Sequence, residues 1–296
     1  MEAHDVDIDM RESRFGFFTF EPQAEPFALE REIERVLSYA KSRATRVDAL
    51  VLPELAVSDK EYERLWDVAR SHDVPMLLAG VRTGRKNFAQ LALGQPKAEG
   101  RLFRQGKHHR WCLDENQIRD YGLDLNPYKR WWEHIDVEER CLNILTVSGW
   151  LSVAHLICED LARIEPVSDV VRAVGPNLVI ALLLDGPQAP ARWSGRYATV
   201  LADDPGSSVL TVTSLGMALL HNAAGHGPSP TIALWRDAID GVRPIELPPG
   251  SCAALLQLWC DVREEFTADG RSDGGVSGVV RLGKIEWLPK PTYSAG

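Results

Sequence analysis

One of the five cysteines, Cys158, stands where a thiol can do chemistry. The apolar run 151–157 predicts a strand, and a helix is expected to begin near Leu161. Backbone N–H groups at a helix start lower the pKa of a thiol and can hold an oxyanion. We interpret Cys158 as a candidate nucleophile. The alternative is a buried structural thiol, which is what we expect of the other four: Cys112, Cys141, Cys252 and Cys260.

Two further side chains, Glu54 and Lys107, could act on such a thiol. Glu54 follows the apolar strand Ala49–Leu52 and a proline, where packing explains a carboxylate poorly. It could instead cap the next helix or pair with an arginine. Lys107 lies in the basic stretch Arg101–Arg110, where a lysine is ordinarily solvated. Position alone leaves both interpretations open for each residue.

The hydrophobic pattern predicts the elements that must position these residues. Apolar residues recur at helical spacing between Pro26 and Arg43, and Ser58 or Asp59 can cap a second helix. Further strands are predicted at Met76–Val81, Phe88–Leu93, Cys141–Val147, Leu151–Ile157, Leu178–Leu184, Ser208–Thr213, Thr231–Trp235, Ala253–Leu258 and Val279–Trp287. Many strands interleaved with a few helices favour a mixed-sheet α/β fold over a simple doubly wound one.

The chain of 296 residues is expected to form one domain. Residues 1–13 are polar and predicted to be a loose N-terminal tail, and residues 14–296 form the predicted domain. The glycine-rich segment 267–276 reads as a surface loop and not as a linker between two cores.

Three motifs in the chain together resemble the nitrilase, or carbon–nitrogen hydrolase, superfamily. They are Leu52-Pro53-Glu54 after a strand, Gln105-Gly106-Lys107-His108-His109, and Ile157-Cys158-Glu159-Asp160, in the order glutamate, lysine, cysteine. Later segments are also similar to the family: Asn177–Leu184, Arg192–Leu201 and Gly227–Ile232. The resemblance runs from Arg14 to Cys260, nearly end to end.

The resemblance implies roles for the candidate residues. Cys158 would attack an amide or nitrile carbon to form a thioester or thioimidate, and Glu54 would move the protons. Lys107 and the backbone N–H of Glu159 would hold the oxyanion. The family has a second glutamate shortly after its lysine, and Glu115, eight residues after Lys107, is the match we select. Glu115 would orient Lys107 or the attacking water.

The resemblance also implies a four-layer α-β-β-α sandwich, commonly assembled as a homodimer or higher oligomer. The expected partner is a small-molecule substrate, with an amide favoured over a nitrile, and neither a metal nor an organic cofactor is expected. We expect Asp160 to cap the helix that follows Cys158.

The chain departs from the family between Lys107 and Cys158, where a spacing of 51 positions implies an insertion near the site. Its aromatic residues could wall the substrate pocket, or they could pin a loop to the body by apolar burial: Tyr128, Trp131, Trp132 and Trp150.

Composition excludes several other classes of protein. Against 33 Lys and Arg stand 42 Asp and Glu, a formal charge of −9 with no basic stripe, which makes nucleic acid an unfavourable direct partner. No apolar run is long enough for a membrane span, and the acidic N-terminus lacks the pattern of a signal peptide, so a cytoplasmic location is expected. The odd, widely spaced cysteines argue for reduced thiols, and no pattern of metal ligands occurs.

Three other functions remain open at the level of sequence. The chain could be a catalytically idle or regulatory nitrilase-like module attached to a larger system, for example a defence-associated one. It could be an acyltransferase, in which an amine replaces water. An unrelated thiol hydrolase with a Cys–His pair would need His155, which three residues upstream on a strand faces away from Cys158.

Overall fold

A computed structural model describes residues 2–4, 14–21, 27–94, 100–221, 225, 227, 229–266 and 272–290. The strands are β1 (Glu2–His4), β2 (Phe15–Thr19), β3 (Leu50–Val51), β4 (Val57–Ser58), β5 (Met76–Thr83), β6 (Lys86–Leu93), β7 (Arg101–Gly106), β8 (Cys112–Leu113), β9 (Arg130–Glu133), β10 (Ile144–Ser148), β11 (Leu151–Ile157), β12 (Leu178–Leu182), β13 (Ser208–Val212), β14 (Thr231–Asp237), β15 (Gly241–Glu246), β16 (Ser251–Phe266) and β17 (Ser272–Pro289). The helices are α1 (Ala28–Arg43), α2 (Asp59–Ser71), α3 (Glu115–Asp120), α4 (Asp169–Val174), α5 (Trp193–Asp203) and α6 (Leu215–His221). A 3-10 turn, Cys158–Ala162, and an irregular helical turn, Ile164–Ser168, lie between β11 and α4.

Two larger sheets form the centre of the fold. The first has the order β3-β5-β6-β7, with β4 also paired to β5. The second has the order β10-β11-β12-β13-β14-β15, in which β11, β12 and β13 are parallel. Parallel strands present their carboxyl ends at one edge, so the residues after β11 and β12 lie close together.

Strand β5 shows why the first sheet is buried on both faces. Leu78 packs in the core between the two sheets, whereas Leu77 and Ala79 face the helices α1 and α2. Such alternation follows from the two-residue period of a strand. On the far side of the second sheet, Ala198 and Leu201 bring α5 against β13 and β14. The resulting α-β-β-α layer order confirms the fold class expected from the sequence.

The chain closes on a long hairpin formed by β16 and β17. Its Leu288 joins the core under α1 and α2, and Val280 and Leu282 join the core between the sheets. The predicted strands Ala253–Leu258 and Val279–Trp287 are therefore shorter than the observed ones. Residues 272–276, predicted as loop, belong to β17, because cross-strand pairing with β16 continues through them; 267–271 lie outside the described residues.

A third, smaller sheet has the order β1-β2-β9-β8. Strand β2 pairs in parallel with β9, and Trp131 of β9 packs directly on Gly16, where any Cβ would come within 2.5 Å of the indole ring. Residues 2–4 of the expected loose tail form β1 and pair with β2, while residues 1 and 5–13 lie outside the described residues.

No helix within the described ranges is both long and apolar enough to cross a membrane.

Candidate active site

The ends of three strands from the two larger sheets bring Glu54, Lys107 and Cys158 to one place. Glu54 lies three residues after β3, and Lys107 and Cys158 follow β7 and β11 directly. The backbone N–H of Lys107 donates to the carbonyl of Asn87 at 2.9 Å, which extends the pairing of β6 and β7 by one residue. All three sequence candidates therefore lie within three residues of a strand end.

Lys107 is buried between two carboxylates. Its Nζ lies 2.8 Å from Oε1 of Glu54 and 2.6 Å from Oε2 of Glu133, and the Lys107 side chain has no exposed surface. Burying three ionisable groups costs free energy that pairing only partly recovers. Stability alone gives no reason to assemble such a cluster, and this directs attention to chemistry.

Asn87 joins the two carboxylates. Its Nδ2 donates to Glu54 Oε1 at 2.7 Å and to Glu133 Oε1 at 3.0 Å. The backbone N–H of Trp111 donates to Glu133 Oε2 at 3.1 Å, and that of Leu184 donates to Glu54 Oε2 at 2.7 Å. Both carboxylates are thus fixed by donors on separate elements, which limits their rotation.

Cys158 is buried, with 3% of its surface exposed, and its φ of 42° lies in the left-handed region. Non-glycine residues rarely adopt this conformation, which costs about 1–3 kcal/mol, and such strain concentrates at functional sites. A sharp strand-to-helix turn with a strained residue also presents the nucleophile in other hydrolase folds.

The charged neighbours of Cys158 set its proton affinity. Burial raises the pKa of the thiol well above its ordinary value, the Glu54 carboxylate raises it further, and the Lys107 ammonium acts in the opposite direction. A hydrogen bond from the N–H of Leu184 to the sulfur also lowers this pKa. The thiol is consequently protonated at neutral pH and needs a base before it can attack.

Glu54 and Lys107 have pKa shifts that suit a base and a fixed cation. Burial raises the pKa of Glu54, the Lys107 ammonium opposes this, and Glu133 adds to it. Burial lowers the pKa of Lys107, but the carboxylates of Glu133 and Glu54 outweigh burial and hold it well above its ordinary value. Lys107 therefore keeps its charge, while Glu54 has raised proton affinity.

The structure does not bring Glu115 to the site. Glu115 lies exposed in the first turn of α3 and pairs with Arg119 one helical turn later. The second carboxylate on Lys107 is Glu133, at the end of β9 in the long segment between Lys107 and Cys158. The sequence indicates Glu133 only through the two-residue period of a short strand, which places Glu133 on the same buried face as Trp131.

Glu159 and Asp160 have different roles in the structure. The Glu159 side chain pairs with Arg163 at 2.7 Å, while its backbone N–H lies at the start of the 3-10 turn. Asp160 does not cap a helix. It is fully buried and accepts from the N–H of His108 at 3.0 Å and contacts His109 Nδ1 at 2.9 Å, which ties the lysine segment to the nucleophile turn.

Neither His155 nor the other cysteines offer an alternative nucleophilic pair. His155 is fully buried, burial lowers its pKa to about 4, and neither ring nitrogen has a hydrogen-bond partner among the described residues. The expectation that the other four cysteines are buried is wrong: Cys141 is exposed, and Cys112, Cys252 and Cys260 are partly exposed. Cys112 lies in the edge strand β8, Cys252 and Cys260 lie in the β16–β17 hairpin, and Cys141 precedes β10.

Buried Trp131 packs the segment between Lys107 and Cys158 against the rest of the protein. Trp131 packs in a cluster with Phe18, Trp111 and Tyr121, whereas Tyr128 is 84% exposed. The insertion thus places Glu133 by ordinary apolar burial. No group of three potential metal-ligating side chains occurs in the ranges described above.

Comparison with solved structures finds, among others, members of the nitrilase or CN-hydrolase superfamily. The chain is similar to an amidase of the nitrilase superfamily from Nesterenkonia, with 15% identity, a TM-score of 0.48 and coverage of 80% of this chain and 90% of that one. It is similar to Nit3 of Saccharomyces cerevisiae, a branch 10 member, with 12% identity, a TM-score of 0.47 and coverage of 73% and 80%. It is also similar to the CN-hydrolase superfamily protein XC1258 of Xanthomonas campestris, with 18% identity, a TM-score of 0.37 and coverage of 60% and 68%.

These proteins come from the superfamily that the sequence motifs resemble. No protein-family model and no curated protein sequence matches the chain.

Proposed function

We propose that this chain is a cysteine-dependent hydrolase of a non-peptide carbon–nitrogen bond, with an amide as substrate and a thioester as intermediate. The observation that carries the proposal is the buried lysine between two carboxylates beside a protonated thiol on a strained turn. This arrangement supplies a nucleophile, a base and a fixed positive charge in one place.

Acylation begins with transfer of the Cys158 proton to Glu54. One lone pair of Glu54 Oε2 remains for this proton, because Oε1 accepts from both Lys107 and Asn87, whereas Oε2 accepts from Leu184. The sulfur attacks the amide carbon, and the resulting oxyanion is stabilised by Lys107 and by the N–H of Glu159. Such donors are worth about 10²–10³-fold in rate each.

Glu54 then gives the proton to the leaving nitrogen, so that ammonia or an amine departs and a thioester on Cys158 remains. Water, deprotonated by Glu54, attacks this thioester and releases the carboxylic acid and the free thiol. Glu133 keeps Lys107 charged and in position through both halves of the reaction. No metal or organic cofactor takes part.

The free energy that the site costs the folded state favours a catalytic protein over an idle module. Three buried ionisable groups and a left-handed cysteine are each unfavourable for folding. A chain that only bound a partner would gain nothing from keeping all of them. Proteins commonly sacrifice stability in this way at active sites.

The test is to incubate the purified chain with a panel of primary amides and nitriles and to follow ammonia release. Intact-mass spectrometry with peptide mapping should find an acyl adduct on Cys158, and Cys158→Ala should abolish both signals. Cys112→Ala, a partly exposed cysteine on β8, is the matched control and should keep them.

The same assay decides among the alternatives. Products that incorporate an added amine in preference to water would indicate an acyltransferase. An absence of both turnover and acyl adduct across the panel would refute the hydrolase and favour an idle module.

A further inference from the structure

Asp185 and Arg192 form an ion pair that leaves one atom of each without a partner within the described part of the chain. Arg192 Nη2 donates to Asp185 Oδ1 at 2.6 Å, in a single-point contact. Asp185 Oδ2 and Arg192 Nε are both buried and have no hydrogen-bond partner among the residues described in the structure. An arginine and a carboxylate can form a bidentate ion pair, which would use both Asp185 Oδ2 and Arg192 Nε. Here an unused acceptor and an unused donor remain a few ångströms apart.

The surrounding contacts keep the pair in this open arrangement. The hydroxyl of Tyr121 donates to Asp185 Oδ1 at 2.7 Å and accepts from the N–H of Gly186 at 2.8 Å. At the other end, Arg192 Nη1 lies 2.9 Å from His221 Nε2. Because a guanidinium only donates, this ring nitrogen accepts. Asp185 and Arg192 are therefore each held by a second contact, which opposes the side-chain rotation needed to form a bidentate ion pair.

The pair lies beside the thiol. Asp185 directly follows Leu184, whose N–H binds both Glu54 and the sulfur of Cys158. The Asp185 carboxylate is close enough to contribute to the raised pKa of the thiol. The Asp185 side chain is 7% exposed and that of Arg192 is 25% exposed, so part of the arginine lies at the protein surface, whereas the two unused atoms are buried.

The charges of the pair limit what can bind there. One carboxylate and one guanidinium already neutralise each other, so a ligand ion would enter a partly buried site without a counter-charge. A neutral group that both donates and accepts a hydrogen bond would satisfy both unused atoms without that cost. A buried donor or acceptor left unpaired is unfavourable, and this is the gain available to such a ligand.

We propose that Asp185 Oδ2 and Arg192 Nε bind a neutral donor–acceptor group, such as a second carboxamide or a hydroxyl, on the acyl part of the substrate. The proposal deepens the hydrolase function above and rests on it, because it assigns the substrate class of the same site.

The test compares four amides that differ at the end remote from the scissile bond. Succinamide carries a neutral donor–acceptor group, succinamate an anion, 4-aminobutanamide a cation and butanamide an apolar end. A second set, one carbon longer, allows for an unknown distance from the thiol. After correction for its two equivalent amides, the diamide should exceed the other three by about 10- to 100-fold in kcat/KM at one of the two lengths.

Variants of the pair should remove this preference. Asp185→Asn replaces the Oδ2 acceptor by a possible donor, and Arg192→Lys keeps the charge but removes Nε. Either change should reduce the ratio of diamide to butanamide kcat/KM to about one. Asp73→Asn is the matched control, since Asp73 is an exposed residue in the left-handed region, where asparagine is accepted, and should keep the ratio.

Binding to Cys158→Ala, measured by calorimetry, separates this proposal from the hydrolase. The diamide should bind at least about 10-fold more tightly than butanamide even where no turnover occurs. A binding preference without any turnover or acyl adduct in the wild type would support the site and refute the hydrolase. Equal rates and equal affinities across both sets would overturn the site and leave the hydrolase intact.

Discussion

At the scale of a single residue, the pKa of Glu54 is set by opposing effects. Burial and the neighbouring Glu133 raise the pKa of its carboxyl, and Lys107 lowers it, with a net increase. The base works only when ionised. Activity should therefore be lost as the pH falls through this raised pKa, above the range of an ordinary glutamate.

The pH profile of kcat/KM on the best amide measures this. We expect an acid limb with its midpoint above the usual glutamate pKa of about 4.3. Circular dichroism at each pH shows that the chain stays folded. An acid limb at or below the ordinary value would contradict the role given to Glu54.

Separate substitution of Glu133 and Glu115, the two candidates for the second glutamate of the site, gives another prediction. Glu133→Gln leaves Lys107 with Glu54 as its sole carboxylate, so that the ammonium lowers the pKa of the base, and kcat should fall by about 10²-fold. Glu115→Gln removes a surface ion pair with Arg119, worth about 0.3–0.5 kcal/mol.

Steady-state kinetics on the two purified variants distinguish the assignments. Glu115→Gln should retain kcat within about 2-fold, since surface changes of this kind have small effects. A large loss in Glu115→Gln with normal kcat in Glu133→Gln would restore the match made from sequence.

The contrast between these residues shows what sequence could predict of the site. Glu54, Lys107 and Cys158 each follow a strand directly or nearly so, and the structure brings Glu54 and Lys107 into contact. Glu133 was missed because its position depends on β9, which lies beside β2 more than a hundred residues earlier in the chain. Sequence spacing from Lys107 carries no information on that long-range pairing.

At the scale of elements, the approach of β5 to the Glu54 segment depends on Gly80. Its N–H donates to the carbonyl of Pro53 at 3.1 Å. A Cβ at this position would lie 2.4 Å from Cα of Glu54 and 2.5 Å from N of Leu55. Both are backbone atoms, so the two segments would have to separate.

Gly80→Ala should therefore lower the free energy of unfolding by about 1–3 kcal/mol and displace the base enough to reduce kcat strongly. Gly149→Ala is the control, because a Cβ there meets no atom within 4 Å. Urea denaturation and amide turnover measure the two effects. Unchanged stability and kcat in Gly80→Ala would show that the observed contact between the segments is not required.

The elements were predicted unevenly, for physical reasons. The helices α1 and α2 were expected because one apolar face repeats along them, and Ser58 was among the expected caps of α2. The ends of β16 and β17 were not expected, since Gly274 and Gly275 in isolation favour a loop, and the pairing of two long strands overrides that preference.

At the scale of the whole molecule, the hairpin connects the two cores. Leu288 packs under α1 and α2, and Val280 and Leu282 pack between the sheets. We propose on this basis that residues 14–296 unfold as a single domain. Urea unfolding followed by circular dichroism and by tryptophan fluorescence should give coincident transitions.

Two separated transitions would contradict the single domain. Cys252→Ser, a change in the hairpin outside the site, serves as a control for the tryptophan signal, because it should shift both probes together. The layer order itself was expected from the resemblance, whereas the pairing of β1 with β2 had no signal in the polar N-terminal sequence.

The site draws on six distant segments of the chain, which contribute Glu54, Asn87, Lys107, Glu133, Cys158 and Leu184. Leu184 and Glu54 alone are 130 residues apart in sequence and belong to different sheets. Contacts between such distant segments form late when a chain folds, because closing long loops is slow. The rate at which enzyme activity recovers after dilution from denaturant therefore reports how fast the two sheets dock. This recovery should be slower than the return of secondary structure.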